Sequence, residues 1–327
     1  ANSSIRIQGL DGRYTQILKD GFPLYAGFSG GRGLLQTPPL DLKQVEIIKG
    51  SSSTLYGGGA IAGLVNLISK SPKPERELRF LANGTSAGGL DLNGFFAQRW
   101  GKTGITLYGG RSSNAPYDPS GTGFTAIHRF DRYVLNPKLF IYFSPSTKLS
   151  FGMNSSFENR IGGDLQYIQG HGDSVHSYFE RNKSRRFSTQ FSFDHQFTEN
   201  KSITIKNSVS RFNRTISVPE YVFDGKQWST YSEIAYDTRK KESEWVIGLN
   251  FYTDDFNEHP ADSFPKRNYY QTTVGGFIQN TWKANNWLQL ETGLRGDYIV
   301  DYGFALLPRL SALVKFSPKL TSRFGGG

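Results

Sequence analysis

Hydrophobic and polar residues alternate with a period of two over most of the chain, a pattern that predicts strands. From Trp287 to Tyr298, Leu288, Leu290, Thr292, Leu294 and Tyr298 fall on one face, while Gln289, Glu291, Arg295 and Asp297 fall on the other. Phe187, Phe191, Phe193 and Phe197 oppose Ser188, Gln190, Ser192, Asp194 and Gln196 in the same way. Leu149, Phe151, Met153 and Phe157 oppose Ser150, Asn154, Ser156 and Glu158, and Trp245, Ile247, Leu249 and Phe251 make a further apolar face. Such runs last about ten residues or more, longer than an ordinary soluble strand and close to what crosses a bilayer at a tilt. The alternating region starts near Glu77 and holds roughly 12 to 13 strands.

The connections give this region two unlike ends. Gly101 to Thr103, Ser144 to Thr147, Thr198 to Lys201, Arg239 to Glu242, Ala284 to Asn286 and Ser317 to Lys319 read as tight turns. Between them Ser112 to Asp131, Asn159 to Ser184, Thr215 to Lys226 and Asp254 to Asn268 read as long loops. Short turns on one side and long loops on the other are expected of an outer-membrane barrel. Ser86 to Gly89 and Val300 to Gly303 are short where long loops are expected. Leu320 to Gly327 stops inside an apparent strand, so the barrel is expected to be truncated at its C-terminal end, with open edges.

Residues 1–71 read as a compact mixed unit. Ile5 to Leu10, Gln16 to Leu18, Val45 to Ile48 and Leu64 to Ser69 are short strand candidates, and Asp20-Gly21 is a hairpin turn pair. Pro72 and Pro74, among Lys70, Lys73, Glu75 and Arg76, mark residues 72–76 as a linker to the barrel region, 77–327.

Composition agrees with strands and turns. Aromatics make up 14% of the 327 residues, with 25 Phe, 17 Tyr and 37 Gly, while Met occurs once. The mean hydropathy of −0.47 and the lack of any apolar run near about 18 residues exclude a helical membrane protein. They do not exclude a barrel, whose strands average out to mild hydropathy. The absence of Cys removes disulfides, thiolate metal sites and a Cys nucleophile. With no initiator Met and no basic-then-apolar leader, an export signal is expected upstream of Ala1. A formal charge of +10 raises the question of nucleic acid, but the basic residues are dispersed along strands and loops, and none is expected to bind it.

Several blocks in the first unit strongly resemble the plug domain of TonB-dependent receptors. They are Ile5-Arg6-Ile7-Gln8-Gly9-Leu10, Val45-Glu46-Ile47-Ile48-Lys49-Gly50 and the stretch from Leu55-Tyr56-Gly57 through Asn66 to Lys70. Asp20-Gly21-Phe22-Pro23-Leu24 stands where that family carries an Asp-Gly-aliphatic-Pro-aliphatic segment. In the barrel region, Leu290 to Asp297 and Leu307-Pro308-Arg309-Leu310 resemble family strand segments. The resemblance implies an all-β, antiparallel membrane barrel of about 22 strands when complete, with an N-terminal α+β plug inside the lumen. It also implies active import across a Gram-negative outer membrane, with TonB, ExbB and ExbD pulling on the plug through a segment that normally precedes it.

On this resemblance Arg6, Gly9, Asp20, Gly21, Glu46, Lys49, Gly50, Tyr56, Gly57 and Asn66 form the plug motif and its barrel contacts. Glu291, Arg295, Asp297 and Arg309 are expected to be inward barrel charges. Arg6, Glu46 and Lys49 should pair with groups such as Glu291, Arg295 or Arg309. Aromatics and Arg at an outward opening suit a rigid anionic or aromatic ligand, which makes Tyr25, Phe28 and Arg32 on the plug and Tyr117, Tyr167, Tyr178 and Trp228 in the loops ligand-binding candidates. His171 and His176 join them as residues able to reach haem iron, although no metal site is assigned. The expected cargo is an iron complex, ferric siderophore or haem, with cobalamin or an oligosaccharide as alternatives and a passive porin as the reading of another class. Outer-membrane lipid is the remaining partner, and no cofactor is expected. Catalysis finds no support: Gly-x-Ser-x-Gly is absent, and Gly57-x-Gly59-x-x-Ala62 lacks the βαβ setting of a dinucleotide site.

Overall fold

A computed structural model describes residues 5–7, 9–24, 39–50, 53–259 and 265–327. After a 3-10 turn at Gly12–Tyr14, the first unit contains β1 (Thr15–Lys19), β2 (Phe22–Pro23), β3 (Leu42–Lys49), helix α1 (Ser53–Tyr56) and β4 (Gly63–Ser69). Its sheet has the order β2-β1-β4-β3. β1 runs parallel to β4, and β3 runs antiparallel to it. Strand β4 is central because Leu64, Val65 and Leu67 are buried, and Ile7, Ala62, Val65 and Leu67 form the core of the unit. Ile5 to Leu10 is not the strand that the sequence predicts. The Leu10 N–H donates to the Ile7 carbonyl at 3.1 Å and Gly9 has φ +78°, so the chain turns there.

Thirteen strands follow in one sheet, each paired with its chain neighbours. They are β5 (Glu77–Gly84), β6 (Gly89–Trp100), β7 (Thr103–Asn114), β8 (Arg129–Ser144), β9 (Thr147–Gly163), β10 (Phe179–Thr198), β11 (Lys201–Val218), β12 (Tyr221–Lys240), β13 (Ser243–Glu258), β14 (Tyr269–Lys283), β15 (Leu288–Ile299), β16 (Gly303–Ser317) and β17 (Leu320–Gly326), with helix α2 (Leu165–Gln169) between β9 and β10. All twelve pairings are antiparallel, and β5 and β17 are the two edges. This is a curved partial barrel.

The alternation sorts side chains as the sequence predicts. On β15, Arg295 and Asp297 are buried while Leu294 and Tyr298 are exposed. Phe151, Phe187 and Leu249 likewise lie on the exposed outer face, while Ser150 and Gln190 are buried on the inner one. An apolar outer face suits lipid, which offers no partner to polar groups.

One long loop is absent. Between β11 and β12 only Pro219 and Glu220 remain, where Thr215 to Lys226 was expected to be irregular. Ile216, Val218 and Val222 carry the alternation onward, and Glu220 closes the turn at φ +63°. The connections 115–128 and 164–178 share one end of the sheet with the short β11–β12 turn, and the two-residue turns 101–102, 145–146, 199–200, 241–242 and 318–319 lie at the other.

Candidate functional site

The plug motif closes around one turn. Asp20, at φ +55°, accepts 2.7 Å hydrogen bonds from the Ser69 N–H and hydroxyl. The Gly21 N–H donates to the Asn66 side-chain oxygen at 3.1 Å, and Asn66 Nδ2 donates to Glu46 Oε2 at 3.1 Å. Asp20, Gly21, Asn66 and Glu46 therefore form a single network across the β1–β2 turn, β4 and β3. Gly50 donates its N–H to the Ala62 carbonyl at 3.0 Å.

This network is tied to the inner wall by polar contacts. Lys138 on β8 meets Asp20 at 3.1 Å. Lys19 pairs with Asp41 at 2.6 Å, with both side chains buried, and also reaches Asn154 on β9 at 3.5 Å. Asn136 Nδ2 donates to Asp41 at 3.5 Å, and Gln190 Nε2 on β10 donates to the Lys19 carbonyl at 3.2 Å. Leu40 supplies an apolar contact with the buried Phe95, Ala97 and Tyr108.

The ties differ from those expected of Arg6, Glu46 and Lys49. Glu46 takes its hydrogen bonds from Gln44 and Asn66, both on the plug. Arg309 pairs with Glu291 at 3.0 Å, and Arg295 pairs with Asp297 at 2.7 Å and donates to Asn250 at 2.9 Å. Arg6 and Lys49 are exposed and make no ion pair among the described residues. The inward charges of β15 and β16 pair with one another on those strands, and the plug meets them by packing. Gly57, at φ +79°, faces the Arg295 guanidinium, and a β-carbon there would lie 3.6 Å from Nε. Tyr56 ends α1, whose Thr54 sits against Gly293.

Above the Asn136 level, towards the long loops, four arginines line the lumen on four consecutive strands. They are Arg132 (β8), Arg160 (β9), Arg186 (β10) and Arg214 (β11). Arg132 and Arg160 both bind Glu158, at 2.6 and 3.0 Å. Arg186 lies over the Phe212 ring at 4.2 Å, Arg160 over Phe130 at 4.8 Å, and Arg214 donates to Asn182. Among the described residues, Glu158 is the carboxylate that pairs with the Arg132 and Arg160 guanidiniums. The four are missing from the sequence-level candidates, although each sits on the polar face of its strand. What the sequence lacks is the register, which pairs Arg132 with Glu158 and Arg186 with Phe212 across strands.

The loop candidates gather nearby. Tyr167 stacks on Phe179 at 4.7 Å, Tyr178 lies 6.3 Å from Phe124, and Tyr117 pairs with Ile127. Asp164 caps α2 through the Gln166 N–H at 2.8 Å and meets His176 Nδ1 at 2.8 Å. That contact draws the His176 pKa above its ordinary value and holds Asp164 below its own. His171 is exposed. Trp228 does not belong to this group: it lies on the outer face of β12, half-exposed, with Arg211 over its ring at 5.1 Å. Its neighbour Gln227, on the inward parity, is buried instead. Tyr25, Phe28 and Arg32 lie outside the described residues.

A small sheet tied by polar contacts to the inner wall of a β-barrel defines a plugged barrel. Residues 1–64 match the family model described as TonB-dependent Receptor Plug Domain. Among solved structures, the siderophore receptor PirA from Pseudomonas aeruginosa superposes with a TM-score of 0.71 at 17% identity, over 98% of this chain and 55% of that one. The ferric yersiniabactin uptake receptor FyuA from Yersinia pestis gives 0.77 at 15% identity, over 99% and 58%. The copper transporter OprC gives 0.78 at 15% identity, over 97% and 55%. Residues 1–64 thus match the plug-domain family, and the 13-strand sheet that follows has the fold of those receptors' barrels. The chain spans a little over half the length of those structures.

Proposed function

We propose that the receptor imports an anionic iron chelate, a ferric siderophore or haem, across a Gram-negative outer membrane. The carrying observation is the row of Arg132, Arg160, Arg186 and Arg214 above the plug, interleaved with Phe130 and Phe212. Guanidiniums backed by aromatic rings bind planar, delocalised anions and shed water readily. Residues 1–71 act as the plug, 72–76 as its linker and 77–327 as barrel. Tyr117, Tyr167 and Tyr178 would meet the ligand at the loops, and Tyr25, Phe28 and Arg32 would meet it from the plug. An outer membrane holds no ATP, so TonB with ExbB and ExbD supplies the work, and no step of chemistry on the ligand is needed.

Energy-dependent uptake of a ferric siderophore panel, haem and cobalamin by the full-length receptor, with and without TonB, tests this reading. One anionic iron complex should enter only with TonB. Arg186→Ala combined with Arg214→Ala should weaken its binding about 10- to 100-fold, on the scale of two charge-assisted contacts. TonB-independent leakage of many solutes would make the protein a porin, and uptake of cobalamin alone would reassign the cargo.

A further inference from the structure

The outer face carries a second basic site, separate from the lumen. Strand register places Arg111, Tyr133, Phe157 and Arg185 side by side on β7, β8, β9 and β10. The row nearer the loops holds Asp131, Asn159 and Lys183, and the row nearer the tight turns holds Leu135, Ser155 and Phe187. Adjacent rows on one face are about 7 Å apart. Over roughly 14 Å of height the surface therefore passes from apolar, through aromatic and cationic, to polar.

The upper two rows line a hollow of about 560 Å³. Arg111 is half-exposed, pairs with Asp131 at 2.9 Å and lies over the Tyr133 ring at 5.7 Å. Lys183 and Arg185 are exposed and make no ion pair among the described residues. Glu158 also borders the hollow, but its carboxylate is buried against Arg132 and Arg160; on the outer side three cations meet the Asp131 carboxylate, and the row below is greasy. Free anions have no use for Leu135 and Phe187, and neutral lipid has no use for Lys183 and Arg185.

We infer that this hollow holds a phosphorylated glycolipid of the outer leaflet. Its phosphate sits between Arg111, Lys183 and Arg185, its sugar lies on the Tyr133 and Phe157 rings, and its acyl chains run down over Leu135 and Phe187. The inference rests on the reading of the barrel as an outer-membrane protein with its long loops outside. It assigns to the β7–β10 wall a structural lipid independent of the transported ligand.

The test uses the full-length receptor purified in neutral detergent. Diphosphorylated lipid A is added as the probe, and its retention is followed by native mass spectrometry and by thermal unfolding. The receptor should keep lipid A, less so as salt rises, and should keep a fully dephosphorylated analogue at least tenfold less well. Lys183→Gln combined with Arg185→Gln alters only exposed side chains and should lower lipid A affinity about 30-fold, from roughly one charge contact per residue. TonB-driven uptake should be unchanged in that variant, which separates this site from the lumen arginines. Equal retention of lipid A by the variant, or of the dephosphorylated analogue by the receptor, would overturn the proposal. So would displacement of lipid A by an equal concentration of inorganic phosphate, which would make the hollow a site for free anion.

Discussion

At Gly293 a single absent methyl decides how the plug seats. A β-carbon there would run into the Thr54 side chain, which is fully buried between α1 and β15. Gly293→Val should therefore push α1 off the wall and raise the passive conductance of the full-length receptor in planar bilayers. Gly276→Val, whose nearest neighbour would be the outward Leu249 side chain at 3.3 Å, should leave conductance unchanged. The Lys19–Asp41 pair, buried on both sides, makes a different prediction. Lys19→Ala strands a buried carboxylate and should cost the plug about 3–5 kcal/mol, whereas Lys19→Met with Asp41→Leu should recover most of the loss. Denaturant titration followed by a plug-specific fluorophore would measure both. Lys19 and Asp41 carry no mark in the sequence. They lie 22 positions apart, and only the folded plug brings them within 2.6 Å. Sequence motifs gather Asp20, Gly21, Glu46 and Asn66; in the fold Gly21, Asn66 and Glu46 bond one another, while Asp20 bonds Ser69 and Lys138.

At the scale of elements, the strands were legible and their ends less so. Period-two alternation identifies β9, β10 and β15 residue by residue, since each face meets a different solvent. Polarity alone hides the end of a strand above the bilayer, because both faces there are wet. That is why β11 and β12 extend to Val218 and Tyr221 through a stretch that reads as loop. Glu220 holds φ +63° in the tight turn, so Glu220→Gly should stabilise that hairpin by about 0.4–1 kcal/mol. Amide exchange of Val222 would report it. The 164–178 loop makes a prediction of pH. The Asp164 carboxylate raises His176, so the stability from that contact is complete below the unfolded histidine value and is lost as pH rises through the folded one. Asp164 and Asp173 are lowered by the His176 hydrogen bond and by backbone N–H donors, so their share is present above the unfolded aspartate value and lost as pH falls through the folded one. The loop should be most ordered between about pH 4 and 6.5. Exchange at Gln166 and Tyr167 should accelerate above that window beyond the intrinsic base dependence, and His176→Gln should abolish the excess.

For the whole molecule, the arginine row and the outer hollow occupy opposite faces of the same wall, β8 to β10. Adjacent residues on those strands serve different surroundings: Arg186 points to the lumen and Arg185 to the outside. A shift of one residue in register would exchange which of the two faces the lumen, so pairing accuracy here sets the charge of both surfaces. The plug is tied to that wall through Asp20, Lys19, Asp41 and the amides of Asn136, Asn154 and Gln190. Such a mooring behaves mechanically like a row of short, stiff latches. Each resists until its partners separate by about an ångström and then lets go, because hydrogen bonds weaken steeply with distance and angle. Water can step into every vacated position, so contacts that part together cost little to leave open and can form again at the same residues.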